Sequence, residues 1–409
     1  MKSLLILGRQ PELGTSELIS LYGVDRISTL GNEAVLVDID PCLLAFKRLG
    51  GSLKFGKLLI VLETALWPDV ENFLAVSSPE HVKNMPPGKM TLGLSLYGFN
   101  LDVRQLSKSA LKIKRAITST GRSVRLVPNK SLELNTAQVI HNKLTKERSW
   151  ELLIVRSGNK TYIAQTVMVQ DIEAYAKRDQ QRPFRDARIG MLPPKLAQII
   201  LNLASGPLPE NELKSICDLP EDRNYLPDIG KTVLDPFCGS GVILQEASLM
   251  GYKVMGSDIN PKMVEYTKNN LKWLSERYIH QINSKDITIG DATKTTWPKF
   301  DLVASEMNLG KPLSSNPKPN ELDRMVKEID NLLKRFLLNI GGQTRPGLRL
   351  CLAVPAWQVS NDQFKSLPVI DHLTDIGYNA IDFKNVSTRL IYYRPQQLVG
   401  RQLLVLTRD

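Results

Sequence analysis

The stretch Thr232-Val-Leu-Asp-Pro-Phe-Cys-Gly-Ser-Gly-Val-Ile-Leu-Gln245 constrains this chain more than any other. It reads as a short apolar strand, a tight glycine turn and the start of a helix. Gly239 and Gly241 let the backbone turn sharply and approach a ligand, and the helix that follows aims unpaired N–H groups at the same spot. Asp235 closes the strand. A second apolar run, Tyr252-Lys-Val-Met-Gly-Ser-Asp258, ends on an acid 19 residues after Gly239. A fold that grips a ribose needs a carboxylate at that distance, because it can accept from both hydroxyls. The competing reading, a strained turn with no ligand, explains the glycines but not the acids.

The third glycine of the dinucleotide fingerprint is replaced by Leu244, which argues against NAD or FAD, and no Gly-Lys-Ser/Thr follows, which argues against ATP. Asp291, in Ile289-Gly-Asp-Ala292, ends another expected strand and can accept from an adenine amine. Strand-end acids at 235, 258 and 291 are the arrangement of an S-adenosylmethionine (SAM) methyltransferase.

With 409 residues, 42% hydrophobic and 23% charged, the chain can bury ordinary cores and make two or three domains. Four cysteines, at 42, 217, 238 and 351, have no C-x-x-C spacing and do not pair with the four histidines. No metal site or disulfide framework is expected, and a reducing, cytoplasmic setting fits. The apolar start Leu4-Leu-Ile-Leu7 is too short for a signal peptide, and no run reaches the roughly 18 apolar residues of a membrane span. Of the net +11, a net +9 sits between Leu101 and Gln165, where 13 Lys and Arg face 4 Asp and Glu. Charge concentrated in this way suggests a phosphate-backbone contact, the alternative being a solvated face.

Taken in order, residues 1–85 alternate strands (near 4–7, 34–38, 57–62) with helices (12–21, 43–49) as a small α/β module. Pro86-Pro-Gly88 marks a boundary. Residues 86–178 read as a mixed α/β domain: a strand at 91–97, a helix over 103–119, a strand at 124–127, a helix over 136–144, and a hairpin of 150–155 with 161–167. Arg104, Lys108, Lys112 and Arg115 recur at helical spacing and share one face of the first helix. Residues 174–188, with arginines at 178, 182, 185 and 188, read as a charged connection that is either an RNA contact or a solvated linker, and residues 206–230 as a surface insertion. Residues 179–409 form the third part. Strands near 232–235, 253–257, 286–289, 300–304 and 348–354 alternate there with helices near 241–250, 261–276 and 321–339, implying a doubly wound, mostly parallel sheet. Strands near 389–393 and 402–407 add an antiparallel hairpin.

Val233 to Ile243 and Gly256-Ser-Asp-Ile-Asn260 resemble the first two cofactor motifs of the THUMP-domain tRNA guanine methyltransferases. Arg188-Ile-Gly-Met-Leu-Pro-Pro-Lys-Leu-Ala197, running into Asn202-Leu-Ala204, is similar to their preceding helix, and Tyr393 to Val405 to their terminal hairpin. The resemblance covers about residues 180 to 409, more loosely the rest. It implies a Rossmann-like SAM-dependent methyltransferase domain behind an N-terminal α/β module and a THUMP-like RNA-binding domain. The SAM-binding set is then Asp235, Pro236, Gly239, Gly241, Asp258, Ile259, Asp291, Ala292 and Pro193. The basic helix face would hold tRNA, and the resemblance singles out neither a small partner subunit nor a monomer.

The family ends its fourth strand with Asp/Asn-Pro-Pro-Tyr/Phe, whose acid or amide orients the target amine while the ring stacks on the base. Here Glu306-Met-Asn-Leu-Gly310 stands at that place. The acid and the glycine are kept; both prolines and the ring are not. Glu306, with Asn308 behind it, is the expected catalytic pair. Three functions stay open: a methyltransferase for a tRNA base, by resemblance the exocyclic amine of guanine; a SAM- or tRNA-binding protein without catalysis; and a methyltransferase for DNA or another acceptor.

Overall fold

The computed structural model describes all residues except 186–190, 218–228, 279–281, 283, 311–312, 314, 361–362, 384–385, 388 and 396. The chain divides into two compact units. The first holds Met1–Pro11, Val24–Lys47 and Ser52–Ile172; the second holds Glu12–Gly23, Arg48–Gly51 and Glu173–Asp409.

In the first unit, strands β1 (Ser3–Leu7), β2 (Ile27–Leu30), β3 (Ala34–Val37), β4 (Ser52–Leu62), β5 (Met90–Tyr97), β6 (Val124–Leu126), β7 (Ser149–Ser157) and β8 (Lys160–Val169) form one sheet in the order β2-β3-β1-β4-β8-β7-β5-β6. The sheet therefore runs through the expected boundary at residue 86, because β4 pairs with β8. Helix α1 (Pro11–Tyr22) belongs from Glu12 onward to the second unit. Helices α2 (Trp67–Lys83) and α3 (Val103–Thr118) bury Trp67, Val70, Leu74, Leu106 and Ile113 with Leu92, Leu94, Trp150 and Leu152 of the sheet. Asp102 starts α3 by accepting from the Gln105 N–H at 2.7 Å, and the Gln105 side chain accepts in return from the Asp102 N–H. A short α4 (Thr136–His141) buries Val139 with Val127, Leu134 and Leu144.

Two local expectations give way here. Residues 43–49 are not an α-helix but lie across two 3₁₀ turns, Pro41–Leu43 and Phe46–Arg48; Leu44 between them is extended, which breaks the run into two single turns. Conversely, α2 was not among the expected elements. Its buried Trp67, Val70, Leu74 and Val82 outweigh Pro79 inside the helix.

The main body of the second unit starts at Glu173 in α5 (Ile172–Gln180), on residues expected to be a charged connection. Arg178 of this helix is buried, its Nε and Nη2 donating to Glu246 Oε1 and Oε2 at 2.8 and 3.2 Å. It is a packing residue, whereas Arg188 lies outside the described residues. Next come α6 (Pro194–Ser205) and α7 (Glu210–Cys217), the latter in the expected insertion, whose residues 218–228 are not described. The sheet is built from β9 (Thr232–Asp235), β10 (Lys253–Asp258), β11 (Ile287–Ile289), β12 (Leu302–Glu306), β13 (Arg349–Ser360), β14 (Gln363–Lys365), β15 (Tyr378–Ala380), β16 (Ile391–Tyr392) and β17 (Val399–Arg408). Helices α8 (Val242–Leu249), α9 (Pro261–Tyr278) and α10 (Pro319–Gly341) alternate with the first of these strands.

The strand order is β11-β10-β9-β12-β13-β17-β15. The first five strands are parallel, as the α/β alternation predicts; β17 runs antiparallel to β13, β15 runs antiparallel to β17, and β16 pairs antiparallel with β17 as the expected C-terminal hairpin. The chain reverses direction across the sheet between β9 and β12, so a crevice opens at their carboxyl ends. One face is closed by α10, whose Ile329, Leu333, Phe336 and Leu337 pack with Leu234, Val303, Leu350 and Leu352.

Candidate active site

A cavity of about 410 Å³ lies at that reversal point. Asp235, Pro236, Gly239, Asp258, Ile259, Asp291, Ala292, Glu306 and Asn308 all line it. Two expected members stand apart. Gly241 is the N-cap of α8 behind the cavity, and Pro193 is the N-cap of α6, with its neighbour Leu192 on the cavity wall.

The glycine turn is held open from below. Gly239 has φ 51° and Gly241 φ 83°, both in the left-handed region that favours glycine. A Cβ on Gly239 would meet nothing within 4 Å, so the backbone there faces space a ligand can enter. Helix α9 pins the turn: the Thr267 hydroxyl donates to Gly239 O at 2.7 Å, and Asn270 Nδ2 to Ser240 O at 2.9 Å. Asn270 also binds both the N–H and the carbonyl of Phe184. The glycine missing at Leu244 has a structural counterpart. A Cβ on Gly256 of β10 would stand 2.7 Å from Leu244 Cδ1, so the close helix–strand approach is made by a glycine on the strand.

Four carboxylates converge on this cavity. Asp235 is buried; Ser305 Oγ donates to its Oδ1 at 2.5 Å and the Phe237 N–H at 3.2 Å. Burial pushes its carboxyl up to about 7, the two donors pull it down, and the nearby Asp258 and Glu306 add to the rise. Asp258 Oδ2 accepts from the Gly239 N–H and Oδ1 from the Asn260 N–H, both at 2.9 Å. Burial still holds its carboxyl above the usual range. Asp291 is the opposite case: the Thr293 N–H and hydroxyl bind its Oδ1 at 2.9 and 2.8 Å and lower it. Glu306 is raised by burial, against the guanidinium of Arg401, whose Nε donates to its Oε1. Asn308 is exposed and its Oδ1 accepts from the Gly310 N–H at 2.9 Å, closing a small turn that Gly310 allows at φ 84°.

Among the described lining residues there is no lysine or arginine to set against these acids. A polyphosphate would be repelled, whereas a ligand carrying a positive centre and several hydroxyl or amino donors would be held. Exposed Ile259, half-buried Leu332 and buried Ala292 supply apolar wall. Sequence reasoning missed Thr267, Asn270, Ser305 and Arg401, each on an element remote from the turn it serves. Only a polar residue interrupting an apolar helix face or strand could have flagged them.

In the other unit, Arg104, Lys108, Lys112 and Arg115 lie exposed along α3 as their spacing predicts. Lys112 is committed to Glu71 of α2 at 2.5 Å, and Glu71 also accepts from Ser109. Among the described residues no ion pair neutralises Arg104, Lys108 or Arg115. No group of three or more His, Cys, Asp or Glu placed to hold a metal occurs among the described residues, and no helix there is long and apolar enough to cross a membrane.

Comparison with known proteins bears on both halves of the chain. Residues 227–344 match a family model described as an RMKL-like methyltransferase domain, and residues 125–269 one described as a DNA methylase. The tRNA (guanine(10)-N2)-dimethyltransferase of Methanothermobacter thermautotrophicus is 26% identical over 237 residues, 56% of this chain and 59% of that protein. The protein of the same name from Pyrococcus abyssi is 27% identical over 208 residues, 48% of this chain and 52% of that one. The chain thus spans between half and two thirds of the length of these curated relatives. The crystal structure of TrmN from Thermus thermophilus shares the fold, with a TM-score of 0.51 at 15% identity and full coverage of both chains.

Proposed function

We propose that this chain, which belongs to the tRNA guanine-N2-methyltransferase-like family with an RMKL-like methyltransferase domain, binds SAM in the cavity at the β9/β12 reversal and methylates the exocyclic amine of a guanine in tRNA. The observation that carries this reading is the set of three acids ending β9, β10 and the β11 loop, with a fourth, Glu306, ending β12 beside them. When bound, SAM supplies a sulfonium methyl group to an incoming nucleophile.

The chain's own groups fit that cofactor. Asp258 spends one lone pair of each oxygen on the Gly239 and Asn260 N–H groups, which fixes the carboxylate and leaves a second lone pair on each for a ribose hydroxyl pair. Asp291, anchored through Oδ1 by Thr293, offers Oδ2 to an amine such as that of adenine. Asp258 and Glu306 add to the cost of ionising the buried Asp235, and a positive centre beside Asp235 relieves it. Glu306 accepts from the acceptor amine and turns its lone pair toward the methyl group. Methyl transfer from a sulfonium needs alignment more than an activated nucleophile.

Incubation with labelled SAM and either total tRNA or DNA, followed by nucleoside analysis, tests the assignment. The label is expected in a methylated guanosine from tRNA. Because residues 125–269 match a DNA methylase model, DNA is the comparison that matters. Label in DNA alone would replace the tRNA reading.

Two variants test the parts. Asp258→Ala is expected to weaken SAM binding by about 1–3 kcal/mol, since a charged acceptor for a hydroxyl pair is lost. Calorimetry beside a melting curve reads it, and wild-type affinity in the folded variant would remove Asp258 from the cofactor site. On the first unit, the exposed face of Arg104, Lys108 and Arg115 supports a grip on RNA phosphates, as a THUMP-like domain would supply. Reversing the three to Glu is expected to weaken tRNA binding and to flatten its salt dependence by about 0.9 or less in log–log slope for each phosphate no longer neutralised. Lys112 serves as the control, being paired already. An unchanged slope would make this face merely solvated. A tRNA substrate is compatible with a cytoplasmic setting.

A further inference from the structure

The carboxylate that ends β12 is tethered from the far side of the sheet. Glu306 stands opposite Ala353 of β13, while Arg401 of β17 stands opposite Pro355 of the same strand. The guanidinium therefore crosses β13 to donate from Nε to Glu306 Oε1. Both side chains are largely enclosed, 6% exposed for Arg401 and 18% for Glu306. Another buried arginine–glutamate pair of this unit is engaged differently: Arg178 binds both oxygens of Glu246, and Gln198 Nε2 adds a third bond. At Glu306 only Oε1 is taken by a described residue, and the residue lines the cavity.

We propose that Arg401 is a positioning residue for methyl transfer, gripping Glu306 by one oxygen so that the other is presented, at a fixed angle, to the acceptor amine. The inference rests on the methyl-transfer reading above. The acceptor nitrogen gains a bond to the methyl carbon, the sulfur keeps the electron pair of the broken carbon–sulfur bond, and the nitrogen's proton passes to Oε2 and on to water. A carboxylate left to rotate would offer the amine a family of directions. One held by a planar guanidinium offers a single one, which Lys cannot reproduce.

The arrangement also sets the charge of Glu306. Titratable residues on the adjoining strands include Asp235 on β9, Arg349 and Cys351 on β13, and Tyr392, Arg401 and Arg408 in the terminal strands. On α6 the one ionisable residue, Lys195, lies over the Tyr175 ring. Burial favours the protonated acid, and Arg401 opposes it. Without Arg401 the carboxyl titrates at higher pH, so the acid limb of the rate profile moves upward.

The test uses the full chain and the Arg401→Met and Arg401→Lys variants. In Arg401→Met, kcat is expected to fall roughly 10- to 100-fold with the KM for SAM unchanged, and the acid limb to rise by about one pH unit or more. In Arg401→Lys the limb stays near wild type while kcat still falls, because charge is kept and geometry lost. A readout independent of turnover is the ¹³C titration of labelled glutamate carboxyls in the ligand-free protein, with Glu306→Gln identifying the resonance; its midpoint should rise in Arg401→Met. An unmoved limb and midpoint in the folded Met variant, or a wild-type kcat in the Lys variant, would overturn the proposal. If Met does not fold, the Lys variant decides. If the wild-type chain methylates no nucleic acid, methyl transfer and the positioning role fall together. A moved midpoint would then still separate that failure from absence of the Arg401–Glu306 coupling.

Discussion

Glu306→Ala is expected to lower methyl transfer to tRNA by about 10²–10³-fold while SAM and tRNA affinities stay within about twofold. The expectation follows from where the side chain sits. It ends β12 on the wall of the cavity, one oxygen held by Arg401 and the other without a described partner. Removing it deletes an acceptor felt by the reacting amine without touching Asp258 or Asp291. The single variant also leaves Arg401 buried and unpaired, which costs about 3–5 kcal/mol of stability in such sites. The double variant Glu306→Ala with Arg401→Met removes both charges and should recover most of that stability without recovering activity. Glu306→Asp, one carbon shorter, should keep part of the turnover. Wild-type rates in the folded Glu306→Ala protein would exclude this residue and move attention to Asn308, whose side chain is exposed two residues on.

What the sequence disclosed of this site was local. The strand, glycine turn and helix of 232–249 are legible because an apolar run, two glycines and a second apolar run are contiguous, and the acids at 235, 258 and 291 are legible because each ends such a run. What escaped is spread along the chain. Arg401 is 95 residues from Glu306, and nothing in the spacing of β17 indicates that its guanidinium crosses a strand. The replacement of a fingerprint glycine by Leu244 reads as a loss until Gly256 is seen to make the room. Helix α2, not among the expected elements, carries Pro79 inside it, and burial of one helix face overrides that local breaker. Domain limits were the least legible, since a break in composition at Pro86-Pro-Gly88 is only a turn within one sheet, and helix α1 packs with a unit whose main body begins at residue 173.

That placement of α1 carries the second large effect: Glu17→Ala is expected to destabilise the second unit by about 3–5 kcal/mol. Glu17 is completely buried. Its two oxygens accept from the N–H groups of Gly50 and Gly51, each at 2.9 Å, and Oε1 also accepts from Asn202 Nδ2 at 2.6 Å. Asn202 Oδ1 accepts in turn from Arg48 Nε at 2.8 Å, and Arg48 Nη2 donates to the Tyr252 hydroxyl at 3.0 Å. One carboxylate thus ties α1 and the Arg48–Gly51 segment to α6 and the approach to β10. Alanine would remove the acceptor that the Gly50, Gly51 and Asn202 N–H groups share and a carboxylate that faces the buried Arg48 guanidinium. Gln, keeping an acceptor but no charge, should cost less. Burial pushes this carboxyl up to about 7, against the lowering pull of Asn202, the two glycine N–H groups and Arg48. A folded value above the unfolded one means that the stability it contributes is complete below about pH 4.5 and lost as pH rises through about 7. The gap between wild type and Glu17→Gln in chemical unfolding should therefore be widest near pH 5 and narrow by pH 8. A gap that widened with pH would show that the ionised form is the stabilising one, and a Glu17→Ala loss below about 1 kcal/mol would show that the network does not hold this unit together.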